Sequence, residues 1–193
     1  MQAAPIFTCG NKITDIRDNK QYNTILIGTQ CWMAANLNYG HQRTADMIQR
    51  DNCVTEKYCY NDLTSNCTTM GGLYQWDELM QYNTVAGKQG MCLPGWHIPT
   101  ETEWTLLFQN YINNGFAANA LKTTGYSGFK ADVDGMNFFN RSWNFINFAT
   151  MFWTSNSGGP FKAFAHGMNS YDPSVSLYPG SRSNAFSVRC LKD

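Results

Sequence analysis

Residues 91–104 read MCLPGWHIPTETEW, and the end of this stretch writes the start of a helix. Thr100-Glu101-Thr102-Glu103 is a capping box: the Thr100 hydroxyl can take the Glu103 amide while the Glu103 carboxylate returns to the Thr100 amide. Trp104, Leu107, Phe108, Tyr111 and Ile112 then fall at i, i+3, i+4, i+7 and i+8, one apolar face, and Gly115 offers a left-handed stop. Just upstream, QWDELMQY (75–82) places Trp76, Leu79 and Met80 on one face of a second helix, and Phe116 to Leu121 fits a short third. Farther out in both directions the reading turns to strands. Tyr22 to Ile27 (YNTILI) and Cys31-Trp32-Met33, split by Gly28, form a strand pair. Beyond Gly125, Met151 to Thr154, Phe161 to His166, Ser174 to Tyr178 and Ala185 to Leu191 are short strands between Gly, Pro and Asn breaks. The last alternates Phe186, Val188 and Cys190 with Ser187, Arg189 and Leu191. Polar residues 41–70 read as a loop stapled by its cysteines. Helices in the middle and strands at both ends predict one α+β domain over 1–193 whose terminal strands meet. Residues 1–21 are then an N-terminal extension or first strand, and 126–184 a loop-rich region before the last strands.

Charge supports a neutral, non-ionic role. The chain has 193 residues, with 14 Lys+Arg against 14 Asp+Glu, and only 15% are charged. A nucleic-acid clamp and a polybasic membrane tether both lack their electrostatic basis. Aromatics also make up 15%, and there are 20 Asn. No apolar run reaches the length of a membrane span. Met1-Gln2-Ala3-Ala4-Pro5 has neither the basic head nor the apolar stretch of a signal peptide, so an export or anchoring segment is expected outside this sequence. Seven cysteines (Cys9, Cys31, Cys53, Cys59, Cys67, Cys92 and Cys190) include no C-x-x-C pair, which argues for disulfides over a zinc site. An oxidising, extracellular or cell-surface location follows, and the odd count leaves at least one thiol over.

The strings IGTQCWMAANLNYG (27–40), KYCYND (57–62), GGLYQWDELM (71–80), MCLPGWHIPTETEW (91–104), MFWTS (151–155) and AFSVRCLKD (185–193) together resemble the Fibrobacter succinogenes major paralogous domain family. The resemblance implies a secreted or surface-attached bacterial domain. It also implies a C-type-lectin-like fold, similar to formylglycine-generating enzymes, with paired terminal strands, two flanking helices and a long irregular loop region that carries the binding surface. In that fold Cys31 and Cys190 approach one another or Cys92. Segment 162–190 also resembles the varied stretch of proteins diversified by retroelements, which finishes in a sequence like FSVRC.

These resemblances point to binding without chemistry. The 54 residues from Gly135 to Val188 hold 12 aromatics and four charges: Arg141, Lys162, Asp172 and Arg182. Rigid aromatics among Ser, Gly and Asn make an antibody-like recognition face. Trp143, Phe145, Phe164, His166, Tyr171, Tyr178 and Arg182 are the expected contact residues, with Asn144, Asn169, Ser170, Asp172 and Ser181 as adaptable hydrogen-bonders. Phe138, Phe148, Phe152, Trp153 and Phe186 are expected in the core. The partner is a protein or a glycan, with no nucleic acid and no membrane insertion. A competing expectation is a structural head domain of a bacterial surface appendage or lipoprotein. His41, His97 and His166 are scattered, His97 reads as a packed histidine, and no nucleophile elbow, zinc helix or phosphate loop is present. The formylglycine-generating enzymes use a C-terminal cysteine pair where this chain has Cys190 alone, so that activity is not implied. No cofactor is expected. The sugar-binding calcium triplets of C-type lectins, Glu-Pro-Asn and Trp-Asn-Asp, are missing, since Phe145 follows Trp143-Asn144. Asn61-Asp62 to Asn66 has the oxygens for a structural calcium ion, and a turn held by the same side chains is the simpler reading.

Overall fold

In a computed structural model, residues 7–111, 116–138 and 142–193 are described. The chain starts with a short pair, β1 (Ile13–Thr14) and β2 (Gln21–Tyr22), then the hairpin β3 (Thr24–Ile27) and β4 (Gln30–Met33). Gly28, at φ +59°, makes that hairpin's turn, and a Cβ there would stand 2.6 Å from Asn110 Oδ1. Residues 41–70 are not the loop their polarity predicts. β5 (His41–Arg43) and β6 (Glu56–Tyr58) pair in parallel, and α1 spans Thr64–Met70. The sequence of α1, TSNCTTM, has no apolar stripe. It is held from outside: Asn38 Nδ2 donates to Cys67 O, Asn36 Nδ2 donates to Met70 O, and a disulfide ties Cys67 to Cys59.

β7 (Tyr74–Gln75) leads into α2 (Trp76–Leu79), a single turn rather than the helix predicted over 75–82. The chain leaves helical geometry at Gln81 and Tyr82, both at positive φ, yet Trp76, Leu79 and Met80 are buried as their spacing requires. After β8 (Trp96–His97) comes α3 (Glu101–Gln109), with its capping box formed: Thr100 Oγ1 accepts from Glu103 N at 3.3 Å, and Glu103 Oε2 accepts from Thr100 N at 2.7 Å. Glu103 also faces His97, whose Nε2 lies 3.0 Å from Glu103 Oε1 and whose Nδ1 lies 2.7 Å from Asp193 Oδ1. Those carboxylates, Glu103 foremost, raise the His97 pKa above its ordinary value and clamp the last residue to the start of α3. Ile112 and Gly115, expected to end that helix, lie outside the described residues, as do Met1 to Pro5 and Arg141. α4 (Ala117–Leu121) is the predicted third helix.

Residues 126–184 carry much more strand than the predicted loop region: β9 (Asp134–Asn137), β10 (Trp143–Ile146), β11 (Ala149–Ser157), β12 (Lys162–Asn169) and β13 (Ser176–Ser181). β11, β12 and β13 form an antiparallel sheet. One core packs on Trp153, Ala163 and Ala165, and a second holds Phe152, Met168, Trp32, Trp104 and Phe129. The predicted strand 185–191 is two, β14 (Ala185–Phe186) and β15 (Leu191–Lys192), with every residue from 185 to 191 buried. Its alternation separates two interiors rather than inside from outside. β14 lies between β7 and β9, whereas β15 lies between β4 and β8, so the C-terminal strand joins the N-terminal hairpin as predicted.

The architecture is mixed α+β, with mostly antiparallel pairing, and among the described residues no helix is long and apolar enough to cross a membrane. Disulfides join Cys9 to Cys31, Cys59 to Cys67 and Cys92 to Cys190, leaving Cys53 free and exposed. Of the alternatives implied by resemblance, Cys190 meets Cys92, while Cys31 takes Cys9. Unfolded, unreduced protein should therefore titrate one thiol per chain, from Cys53, and all seven after reduction. A count near seven without reductant would overturn the disulfide framework.

Candidate functional site

β10 is the outer strand of the sheet β10-β9-β14-β7, and the turn out of it into β11 is tight. Phe148 N donates to Phe145 O at 2.9 Å, and Asn147 N to Val133 O at 2.9 Å. Asn147 sits at φ +59°, which asparagine tolerates, but Phe145 sits at +64°, where a bulky side chain is rare. Such a backbone costs about 1–3 kcal/mol and persists only where its surroundings impose it. Ser170 N donates to Phe148 O, fastening this turn to the end of β12. There Asn169 Oδ1 accepts from the amides of Tyr171 and Asp172, and Asp172 Oδ1 accepts from Ser174 N and Oγ. The Ser174 hydrogen bonds lower the Asp172 pKa, so this carboxylate is ionised at neutral pH. The loop is preformed by its own side chains.

Across these two turns the rings form a chain. Phe138 and Phe145 meet edge to face at 6.0 Å, Phe145 and Phe148 lie tilted at 5.8 Å, and Phe148 and Tyr171 meet edge to face at 5.2 Å. Phe145 is 44% exposed, Phe148 38% and Tyr171 71%. Phe138 and Phe148 were expected in the core with Phe152, Trp153 and Phe186. The last three are there, but Phe138 is half-buried and Phe148 is out, because the turn at Asn147 ends the strand alternation one residue before it.

The remaining predicted contact residues divide. Trp143 is half-buried, its ring 5.2 Å from Tyr60, and packs beside Tyr58, Leu73 and Ala185. Asn144 donates from Nδ2 to Ser142 O and Oγ, holding its own strand. At the far end of β12 and β13, Phe164 is half-buried opposite Pro179, Tyr178 packs on the core near Phe186, and Ser181 Oγ accepts from Ser183 N. Arg182 is structural: it pairs with Asp77 at 2.8 Å, donates to Ser157 Oγ and Lys162 O, and lies 4.1 Å over the Trp76 ring. His166 is not a surface contact either. It is 4% exposed, against Trp104 and Phe108. Burial brings its pKa down to about 4, so the ring is neutral, and although Nε2 lies 2.9 Å from Glu101 Oε2, the two are not aligned for a hydrogen bond. The structure thus brings together Phe145, Asn169, Ser170, Tyr171 and Asp172, adds Phe138 and Phe148, and leaves the others as scaffold.

In the stretch from Asn61 to Asn66 side chains hold the local chain: Asp62 Oδ1 accepts from Ala45 N, and Asn66 Nδ2 donates to Tyr60 O. No group of three or more His, Cys, Asp or Glu side chains is placed to hold a metal among the described residues. Cys190 is committed to its disulfide with Cys92.

No curated protein and no solved structure matches the chain. The family described as the Fibrobacter succinogenes major domain matches residues 25–192, from β3 to the end of β15. That span takes in the second core, all of the first but its N-terminal residues such as Ile13 and Tyr22, and the ring-bearing turns, and the chain belongs to the Fibrobacter succinogenes major domain family.

Proposed function

We propose that this is a non-enzymatic, extracellular ligand-binding domain of C-type-lectin-like type, recognising a neutral protein or glycan surface through Phe138, Phe145, Phe148 and Tyr171. The observation that carries this reading is the chain of four partly or largely exposed rings built on a strained, non-glycine turn. Exposed rings held in place by neighbouring rings lose little entropy on binding. Asn169 and Ser170 beside them supply hydrogen-bonding groups, and Asp172 adds a carboxylate next to Lys122, whose Nζ donates to Asp172 O at 2.9 Å. Variation of this surface by a retroelement is part of the proposal, and it requires a near-copy of the coding region downstream whose mismatches fall at adenines.

The binding test is a screen of the whole chain on arrays of glycans and bacterial surface proteins. For any partner found, Phe145→Ala with Tyr171→Ala should weaken binding by at least about 2 kcal/mol, as for hot-spot aromatics. Melting should move by only a few degrees because both rings are largely outside the cores. Phe145→Gly sharpens the test. Glycine relieves the positive φ, so stability should hold or rise by up to about 1 kcal/mol while binding falls. Binding that is indifferent to both rings would overturn the assignment.

A further inference from the structure

Beside Phe138, the first ring of the exposed chain, lies a pocket of about 130 Å³ lined also by Asn137 of β9 and Gln75 of β7. We propose that it receives the acetamido group of an N-acetylated sugar, with Asn137 Nδ2 donating to the acetyl oxygen; the proposal rests on the rings being a binding surface and names the group selected there.

Strand pairing builds this site. Asn137 stands opposite Ala185 on β14, and Ala185 opposite Gln75, so the three side chains share one face of the sheet with a single methyl group between the two amides. Asn137 is 4% exposed, and its Nδ2 has no hydrogen-bond partner. Buried donors are nearly always paired, so one that lines an open pocket marks where an acceptor belongs. The other polar groups are engaged within the chain. Gln75 Oε1 accepts from Gln49 N at 3.1 Å, and Gln75 Nε2 donates to Ser183 O at 2.9 Å. Gln49 Oε1 in turn accepts from Gln75 N at 2.8 Å. The Tyr58 hydroxyl donates to Met47 O and accepts from Gln49 N. The pocket therefore offers a donor and keeps its acceptors occupied.

That asymmetry selects the ligand. Ala45, Ile48 and the Phe138 ring supply apolar wall, and none of the lining side chains is charged, so an ionised group would enter without a counter-charge. A primary carboxamide, as on asparagine or glutamine of a partner protein, brings two N–H donors to walls whose acceptors are taken. An acetyl group brings one carbonyl acceptor and, in place of those donors, a methyl group. The volume is below that of sites enclosing a whole small molecule, so one substituent enters while the rest of the ligand stays outside. The sugar ring bearing it then lies at Phe138, which stands 6.0 Å from Phe145 and leads into the exposed rings. An acetylated lysine would present the same group on a flexible chain, at a greater ordering cost.

The experiment is NMR and calorimetry on the whole chain with the methyl glycosides of N-acetylglucosamine and glucose, and with an Nε-acetyl-lysine peptide. Expected is millimolar binding of the N-acetyl glycoside, at least about tenfold tighter than the glucoside, for one buried methyl group and one hydrogen bond. On the unaltered chain, saturation transfer should be strongest at the acetyl methyl, and the Asn137 side-chain amide protons should shift downfield. Asn137→Leu keeps the size and removes the donor, so it should abolish the preference for the N-acetyl glycoside while melting within a few degrees of the parent. Phe145→Ala with Tyr171→Ala should instead weaken both glycosides alike. Ring-dependent binding without an N-acetyl preference overturns the pocket and spares the ring surface; an N-acetyl preference lost in Asn137→Leu but indifferent to those rings supports the pocket and overturns the ring surface. Should Asn137→Leu fail to fold, the saturation pattern and the amide shift on the unaltered chain still decide. Binding of the acetyl-lysine peptide without the sugar, or no binding of the N-acetyl glycoside at about 10 mM, overturns the proposal.

Discussion

Arg189→Met should destabilise the domain by about 3–5 kcal/mol, the range for breaking a buried charged network by removing one partner. Arg189 is 2% exposed and makes four hydrogen bonds: Nε to Asn36 Oδ1 at 2.6 Å, Nη1 to Met33 O at 3.2 Å and Phe129 O at 2.6 Å, and Nη2 to Lys130 O at 2.7 Å. Burial pulls its pKa down to about 10, so it is charged at neutral pH. It joins three segments distant in sequence: the exit of β4, residues 129–130 and the final chain between β14 and β15. Its guanidinium also lies 4.7 Å over the Phe129 ring, inside the second core. A methionine could fill much of the volume but would leave those carbonyls without donors, each costing about 1–3 kcal/mol if buried and unmet. Arg189→Lys should recover only part of the loss, since an ammonium lacks the planar fork that reaches acceptors on separate segments. Arg182→Met is the contrast. Its Asp77 partner is substantially exposed, so the ion pair should contribute no more than about 1 kcal/mol. Urea unfolding of the three variants measures this, and a loss under about 1 kcal/mol for Arg189→Met would sink the argument.

Arg189 also marks where the sequence stops being readable. In AFSVRCLKD the alternation is plain, with Phe186, Val188 and Cys190 on one face and Ser187, Arg189 and Leu191 on the other. Both sets are buried, because the strand passes between two cores, and a period-2 pattern cannot distinguish a second interior from solvent. The capping box at Thr100 was legible because it is local, its partners three residues apart. α1 was not, because its support comes from Asn36, Asn38 and Cys59, outside the helix. The same division holds at the sites. Phe145 and Tyr171 announced themselves by aromatic density in an uncharged stretch, but whether Phe148 pointed in or out depended on the turn at Asn147.

The disulfide between Cys92 and Cys190 should matter more than the other two. It spans a sequence separation of 98, against 22 for Cys9–Cys31 and 8 for Cys59–Cys67. In the chain-entropy account, a loop near 100 residues restricts the unfolded state by about 4.7 kcal/mol and one near 8 by about 2.5 kcal/mol. Local structure compounds the difference. Cys92 precedes β8 and the α3 capping box, and Cys190 precedes β15, which pairs with β8 on one side and β4 on the other. The bond therefore fixes the closure of the terminal sheet as well as the loop. Cys92→Ala with Cys190→Ala should lose about 4–5 kcal/mol and leave much of the chain unfolded at physiological temperature. Cys59→Ala with Cys67→Ala should lose about half as much, with α1 loosening first because it lacks an apolar face of its own. Cys53→Ala should change neither stability nor fold, since that thiol is exposed and unpaired. Equal losses from the two double variants would show that strand pairing alone closes the sheet and that the long-range bond merely follows it.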